Sequence, residues 1–356
     1  MYLRTIKEVK TFIESNTFRQ SDVCMMFVGE ASYDCISEIV DFCNQKTIKI
    51  FGGVFAKLLV GSKARSDGFI VNVFNAACCS RVLPLTFRIN ANLQPDKQYT
   101  AFVLADGLSE YLKNLTDTVY NRFGDSVKYI GGGAGFYNLD RKPCIFDNSG
   151  VYKDAAYVCV VENEMLMAVE HGWKKLQGPL NVTSANGNEL MEINYYNAFE
   201  VYRDIIRDES DITISKEGFF TYAKDYPFGI IQEGSNEIII RDPIKLNEMD
   251  SIICVANIPN KCELYIMGGN ADSLLRSSEK LAEYCAKNVT KDDKIFVFDC
   301  ISRAMFLDDK FQTEIANIQS KLPIFLEGAL SISEFASGQK GELLIHNKST
   351  IIGVLK

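Results

Sequence analysis

The chain has 356 residues, enough for two hydrophobic cores, so two domains are expected. Its 46 acidic and 38 basic residues leave a net charge of −8 with no basic stripe, which disfavours nucleic acid and anionic membrane as partners. Apolar residues make up 47% and charged residues 24%, a globular balance that excludes disorder.

Residues 1–20 read as a mixed polar N-terminal extension with a helix. Met1 to Glu8 lacks the apolar core of an export signal. No stretch approaches the roughly 20 apolar residues of a membrane span, so no membrane insertion is expected. Beyond residue 20 the chain uses one unit three times: a buried strand, an amphipathic helix, then a second strand running into glycine. In the first copy the strand is Cys24 to Val28, the helix runs from about Tyr33 to Gln45, and Ile48 to Phe51 meets Gly52-Gly53. In the second, Ala101 to Ala105 precedes a helix over about 109–122, and Val127 to Ile130 runs into Gly131-Gly132-Gly133. The third has Ile295 to Phe298, a helix over about 304–320, and Pro323 to Leu326 ending at Gly328.

Such units imply parallel strand pairs with right-handed crossovers. After each, a returning strand is expected: Gly68 to Phe74, Ala156 to Val161, and Thr350 to Leu355. The fold class is therefore α/β, in two domains with mixed sheets built from β-α-β-plus-hairpin repeats and helices on the sheet faces. The first two repeats are assigned to one domain and the third to the other. A stretch from about Glu162 to Asn260 differs, with a helix near 198–206, short strands such as Glu237 to Arg241, and a domain border near Asp208.

The eleven cysteines include no C-x-x-C pair and have only two histidines beside them, which argues against a metal site. Their odd number and apolar settings fit free thiols in a reducing cytoplasm.

Acids end the first strand of each repeat: Glu30, Asp106 and Asp299. At carboxyl ends of parallel strands they stand where α/β sheets collect ligands, although capping of the crossover helices is the favoured reading. Arg303, four residues after Asp299, either clamps a ligand carboxylate or braces Asp299. Cys300 between them has no general base nearby in sequence and reads as an inert buried thiol. The Gly131 to Gly135 run lacks the lysine and hydroxyl of a P-loop, so turn geometry is favoured over phosphate binding. The ligand-site candidates are thus Asp106, Gly131, Gly132, Gly133, Asp299 and Arg303, around a polar pocket between the domains.

The middle of the chain carries a resemblance. His171-Gly172-Trp173 through Pro179, Val182-Thr183, Asn186-Gly187-Asn188 and Ala198-Phe199-Glu200-Val201-Tyr202 resemble the junction of FIST N- and C-terminal domains. Ile130 to Gly135, Tyr226 to Ile230, Ile240 to Pro243 and Phe298 to Arg303 are similar to further motifs in the family's order. The resemblance implies a FIST N-terminal domain over 21–207 and a FIST C-terminal domain over 208–356. It implies an intracellular sensing module for a small molecule such as an amino acid, acting through a separate signalling partner, with no catalytic residues and no resident cofactor. Alternatives are a ligand-free scaffold, an enzyme, or a haem-based gas sensor. Haem would need His171, which is favoured instead as a structural residue of the linker.

Overall fold

The structure, a computed structural model, describes residues 1–84, 91–232, 237–287 and 289–356. Strand β1 (Tyr2–Leu3) and helix α1 (Ile6–Ser15) precede the first repeat, with Thr5 and Glu8 forming a capping box at the start of α1. That repeat comprises β2 (Asp22–Gly29), a 3₁₀ turn, α2 (Ile36–Gln45) and β3 (Lys49–Phe55). The hairpin β4 (Lys57–Val60) and β5 (Lys63–Arg65) and the returning strand β6 (Phe69–Val82) complete it. The second runs through β7 (Thr100–Asp106), α3 (Leu112–Phe123), β8 (Lys128–Ala134), the hairpin β9 (Ile145–Asp147) and β10 (Gly150–Tyr152), and returning β11 (Ala156–Val161). Strand β12 (Met165–Glu170) follows.

A unit of another kind comes next. It holds β13 (Lys174–Asn186), β14 (Glu189–Ile193), β15 (Tyr196–Asn197), α4 (Ala198–Ser210), α5 (Phe219–Ala223), β16 (Phe228–Ile231), β17 (Ile238–Arg241), β18 (Pro243–Leu246), β19 (Ile252–Cys254) and β20 (Glu263–Gly268). Its eight strands form one antiparallel sheet with its own core around Phe199, Tyr202, Phe228 and Ile266. Helix α6 (Ala271–Ala286) then leads to the third repeat: β21 (Lys294–Cys300), α7 (Ile301–Leu307), α8 (Phe311–Lys321), β22 (Leu326–Ser331), the hairpin β23 (Glu334–Ser337) and β24 (Leu343–His346), and returning β25 (Thr350–Leu355).

The repeat pattern holds to the level of register. Each parallel pair places a glycine opposite an apolar residue: Met26 with Gly52, Val103 with Gly131, and Val297 with Gly328. A Cβ added at these glycines would stand 2.1, 1.8 and 1.8 Å from the carbonyl oxygen of that same partner. The glycines therefore serve close backbone approach inside strands rather than turns after them. Each returning strand pairs antiparallel with its own first strand: β6 with β2, β11 with β7, β25 with β21. Gly131→Ala or Gly328→Ala is expected to cost about 3 kcal/mol or more, because backbone, not a movable side chain, occupies the space. Thermal unfolding checks this, and a melting temperature within roughly a degree or two of wild type would sink it.

The hairpins decide the assembly. That of the first repeat lies on the third repeat's edge (β4 on β22), that of the third on the second (β23 on β8), and that of the second on the first (β9 on β3). The exchange is cyclic, and the matched glycines again face the exchanged strands: Gly328 with Leu59, Gly131 with Phe335, Gly52 with Phe146. The third repeat is thus woven into the sheets of the others: its β21, β22 and β25 share a sheet with the first repeat's hairpin, and its β23–β24 extend the sheet that holds the second. Its phenylalanines Phe296 and Phe298 share a core with Phe27, Phe55 and Phe102. It is joined to the first two repeats through strand pairing and a shared core. Only the 174–268 unit has a sheet to itself.

Two local expectations also change. The third helix is broken, α7 ending at Asp308 with φ +48° before α8 begins. The strand expected over 323–326 begins at Leu326. Among the described residues no helix is long and apolar enough to cross a membrane.

Candidate functional site

Counting from the matched glycines, Asp106 is equivalent to Cys300 and Gly29, each at the end of its strand's register. Asp299 stands one position earlier. Side chains alternate along a strand, so Asp106 and Asp299 face opposite sides of their sheets, and Glu30 lies beyond its strand. None is the cap residue of its helix; those are Gly29, Tyr111 and Cys300. Asp106 accepts from the backbone N–H of Leu108 (3.1 Å) and Asp154 (2.8 Å), pinning two loops. Burial holds its carboxyl above the usual range. Glu30 accepts from the Tyr137 N–H at 2.8 Å.

Asp299 and Arg303 do converge, in a closed polar interior. The Arg303 guanidinium is fully buried and engaged on all three nitrogens. Nε and Nη2 donate to Glu314 Oε1 (2.9 and 2.6 Å), Nη2 also to the Leu274 carbonyl (2.6 Å), and Nη1 to the His171 carbonyl (2.6 Å). Asp299 Oδ1 lies 3.7 Å from Nε and accepts from Thr350 Oγ1 (3.1 Å) and the Cys300 N–H (2.9 Å). Arg303 is a brace between the third repeat, α6 and the linker after β12. Gly131, Gly132 and Gly133 lie within β8, where a Cβ on Gly132 would strike Phe298 and one on Gly133 the backbone of Gly107, so the surroundings leave a ligand no room there.

Around this pair stand groups the sequence does not single out. Ser331 Oγ donates to Glu334 Oε1 at 2.9 Å, Lys348 pairs with Asp242 at 3.1 Å, and Asn347 Nδ2 donates to Ser333 Oγ at 3.2 Å. All six are buried, as is the whole run His346 to Thr350. Burial, then the neighbouring Glu314, pushes Asp299 well up; burial also pushes Glu334 well up. Cys300 lies among Glu334, Asp242 and Lys348, and burial followed by those acids pushes its thiol well above the ordinary range, the opposite of an activated nucleophile.

His171 accepts from the Trp173 N–H through Nδ1 at 2.9 Å, and burial holds it neutral, its pKa lowered to about 4. Trp173 fills the junction, donating from Nε1 to the Lys348 carbonyl (3.2 Å) and meeting Phe306 edge-on. Among the described residues no group of three or more His, Cys, Asp or Glu side chains is placed to hold a metal ion.

The open space lies outside this interior, between α3 and the 174–268 unit. A cleft of about 570 Å³ is walled by Lys113 and Asp117 of α3, Asn186 and Asn257 of the inserted unit, and Ile345 of β24. Its floor is Arg241. Nε donates to the Asn257 carbonyl (2.7 Å) and Nη1 to the Ile240 and Ile345 carbonyls (both 3.0 Å), leaving Nη2 without a protein acceptor among the described residues. Burial lowers the Arg241 pKa to about 10, still far above neutrality. His171 is not among the cleft's walls, so the residues present offer haem no axial ligand there.

Residues 8–195 match the FIST N domain and residues 198–337 the FIST C domain. The chain belongs to the FIST family. Comparison with curated proteins gives no match. FIST domains are generally regarded as signalling-associated sensory domains. In this FIST chain the two matches meet between Tyr195 and Ala198, at the start of α4. The cleft takes walls from both: α3 and Asn186 from the N match, Arg241 and Asn257 from the C match.

Proposed function

We propose that this FIST protein is a cytoplasmic sensory module for a small polar ligand such as an amino acid, seated in the cleft between α3 and the 174–268 unit. The observation that carries this reading is the Nη2 of half-buried Arg241, without a protein acceptor among the described residues, in the wall of a ligand-sized cleft. A guanidinium already fixed by three backbone carbonyls is preorganised for a carboxylate. Asp117 on the facing wall, exposed and paired among the described residues only with exposed Lys113, supplies a counter-charge for an amine. The closed Asp299–Arg303 interior then supports the site from behind: Arg241 holds Ile345, whose neighbour His346 pairs with Glu334 in the β23–β24 register. The output passes to a separate signalling protein.

Calorimetric titration with the twenty amino acids tests this. At least one should bind, and Asp117→Asn, at an exposed position, should weaken it about tenfold while leaving its deaminated analogue unaffected. No binding across the panel, or affinity indifferent to Asp117→Asn and Arg241→Lys, would remove the proposal.

A further inference from the structure

The three repeats can be compared position by position at the opposite, amino-terminal ends of their strands. Three residues before the matched glycine, the second strand begins with Lys49 in the first repeat and Lys128 in the second, both exposed. The third repeat has Phe325 there, 73% exposed. An exposed aromatic in place of lysine gives up solubility for little burial. Its ring lies over Gly61, where an added Cβ would be 2.4 Å from it.

Beside Phe325 opens a cleft of about 430 Å³ whose apolar wall includes Phe12, Phe18 and Ile324. The charged groups on its rim are unequally matched. Asp293 Oδ2 already accepts from Lys356 Nζ (2.8 Å) and the Thr290 N–H (2.8 Å). Glu327 Oε2 accepts from Asn72 Nδ2 (2.9 Å), and Glu327 also pairs with the Met1 amine. Neither lysine makes a direct ion pair among the described residues, although Glu327 acts on Lys294 through space. Lys294 Nζ donates to the neutral amide of Asn72 (2.9 Å) and lies 5.0 Å from the Phe74 ring, and Lys291 has no ion pair among the described residues. The cleft therefore offers an aromatic wall with two ammonium groups that make no direct ion pair, while its two carboxylates are already engaged by Lys356 and the Met1 amine, on a protein of net charge −8.

We propose that this second cleft binds a small amphipathic carboxylate, its acid group between Lys291 and Lys294 and its apolar part against Phe12, Phe18 and Phe325. The volume suits roughly a dozen heavy atoms. The site is separate from the Arg241 cleft, and its ligand needs no amine.

The test is calorimetric titration with 4-phenylbutyrate, with 4-phenylbutylamine as the charge-reversed control. Phe325→Lys restores the residue of the other repeats at an exposed position, so it should melt with wild type while weakening 4-phenylbutyrate about tenfold or more. Lys294→Met keeps the stem, removes the charge, and should weaken it by about the same factor. The amine should not bind, and Arg241→Lys should leave the carboxylate's affinity unchanged. No binding of 4-phenylbutyrate at millimolar concentration would overturn the proposal. So would equal binding of the amine, or an affinity lowered by Arg241→Lys but not by Phe325→Lys or Lys294→Met.

Discussion

Arg303→Met should destabilise the fold by about 3–5 kcal/mol, the range for removing one partner of a buried ion pair. The substitution leaves Glu314 and Asp299 fully buried without their cation and frees the carbonyls of His171 and Leu274. Arg303→Lys keeps the charge but replaces a planar fork with one ammonium, which cannot reach Glu314 and both carbonyls together. A loss of about 2 kcal/mol or more is expected for it. Pairing Arg303→Met with Glu314→Leu removes the stranded charge and should recover a large part of the loss. Denaturant unfolding of the three variants measures these steps. If the single variants unfold with wild type and lose only ligand affinity, Arg303 serves a ligand and the brace is refuted.

Acidification should destabilise this protein through His346 and, with the same sign, through His171. The His346 pKa is lowered to about 3, by burial first and then by Arg241 and His171, against an ordinary value of 6.5. Its Nε2 has no hydrogen-bond partner among the described residues, and Glu334 is its cross-strand neighbour. The unfolded chain therefore takes up a proton below pH 6.5 that the folded chain refuses until about pH 3. Stability is complete above that window and is lost as pH falls through it. The difference is about 2–3 kcal/mol between about pH 7.5 and about pH 4.5. Asp299 and Glu334 act with opposite sign, because their raised carboxyls hold protons better in the fold than outside it. The comparison must therefore be made against His346→Gln, which keeps those acids and removes the titration. Wild type should lose more stability than the variant over that interval by that amount; equal losses would show that the imidazole is not held neutral by the fold.

Much of the architecture was legible because strands and helices announce themselves locally. Val23 to Val28, Ala101 to Ala105 and Ile295 to Phe298 are apolar runs of strand length, each followed by an amphipathic helix and a strand with glycine. Nothing local foretold Arg241 as the floor of a cleft, because its place depends on Ile345, more than a hundred residues away. The run His346 to Thr350 was opaque for a related reason: five polar residues in a row look solvated unless their partners, Glu334, Asp242 and Asp299, are known to arrive from other elements. The spacing of Ser331 and Glu334 was a faint signal, since a hydroxyl and a carboxylate three residues apart can pair across a tight corner.

The amino-acid sequence by itself therefore determined the three β-α-β units, their returning strands and the family. The units and strands rest on periodicity and on glycines demanded by neighbours within a single repeat, and the family rests on the motifs from His171 to Tyr202 and their flanks. Tertiary structure alone decided three things. The hairpins pass cyclically from repeat to repeat, because edge pairing joins strands distant in the chain. Asp106 parts from Asp299, because one residue of register reverses the face of a strand. Arg303 becomes a brace, because carbonyls and a carboxylate from three other segments reach it before any ligand could.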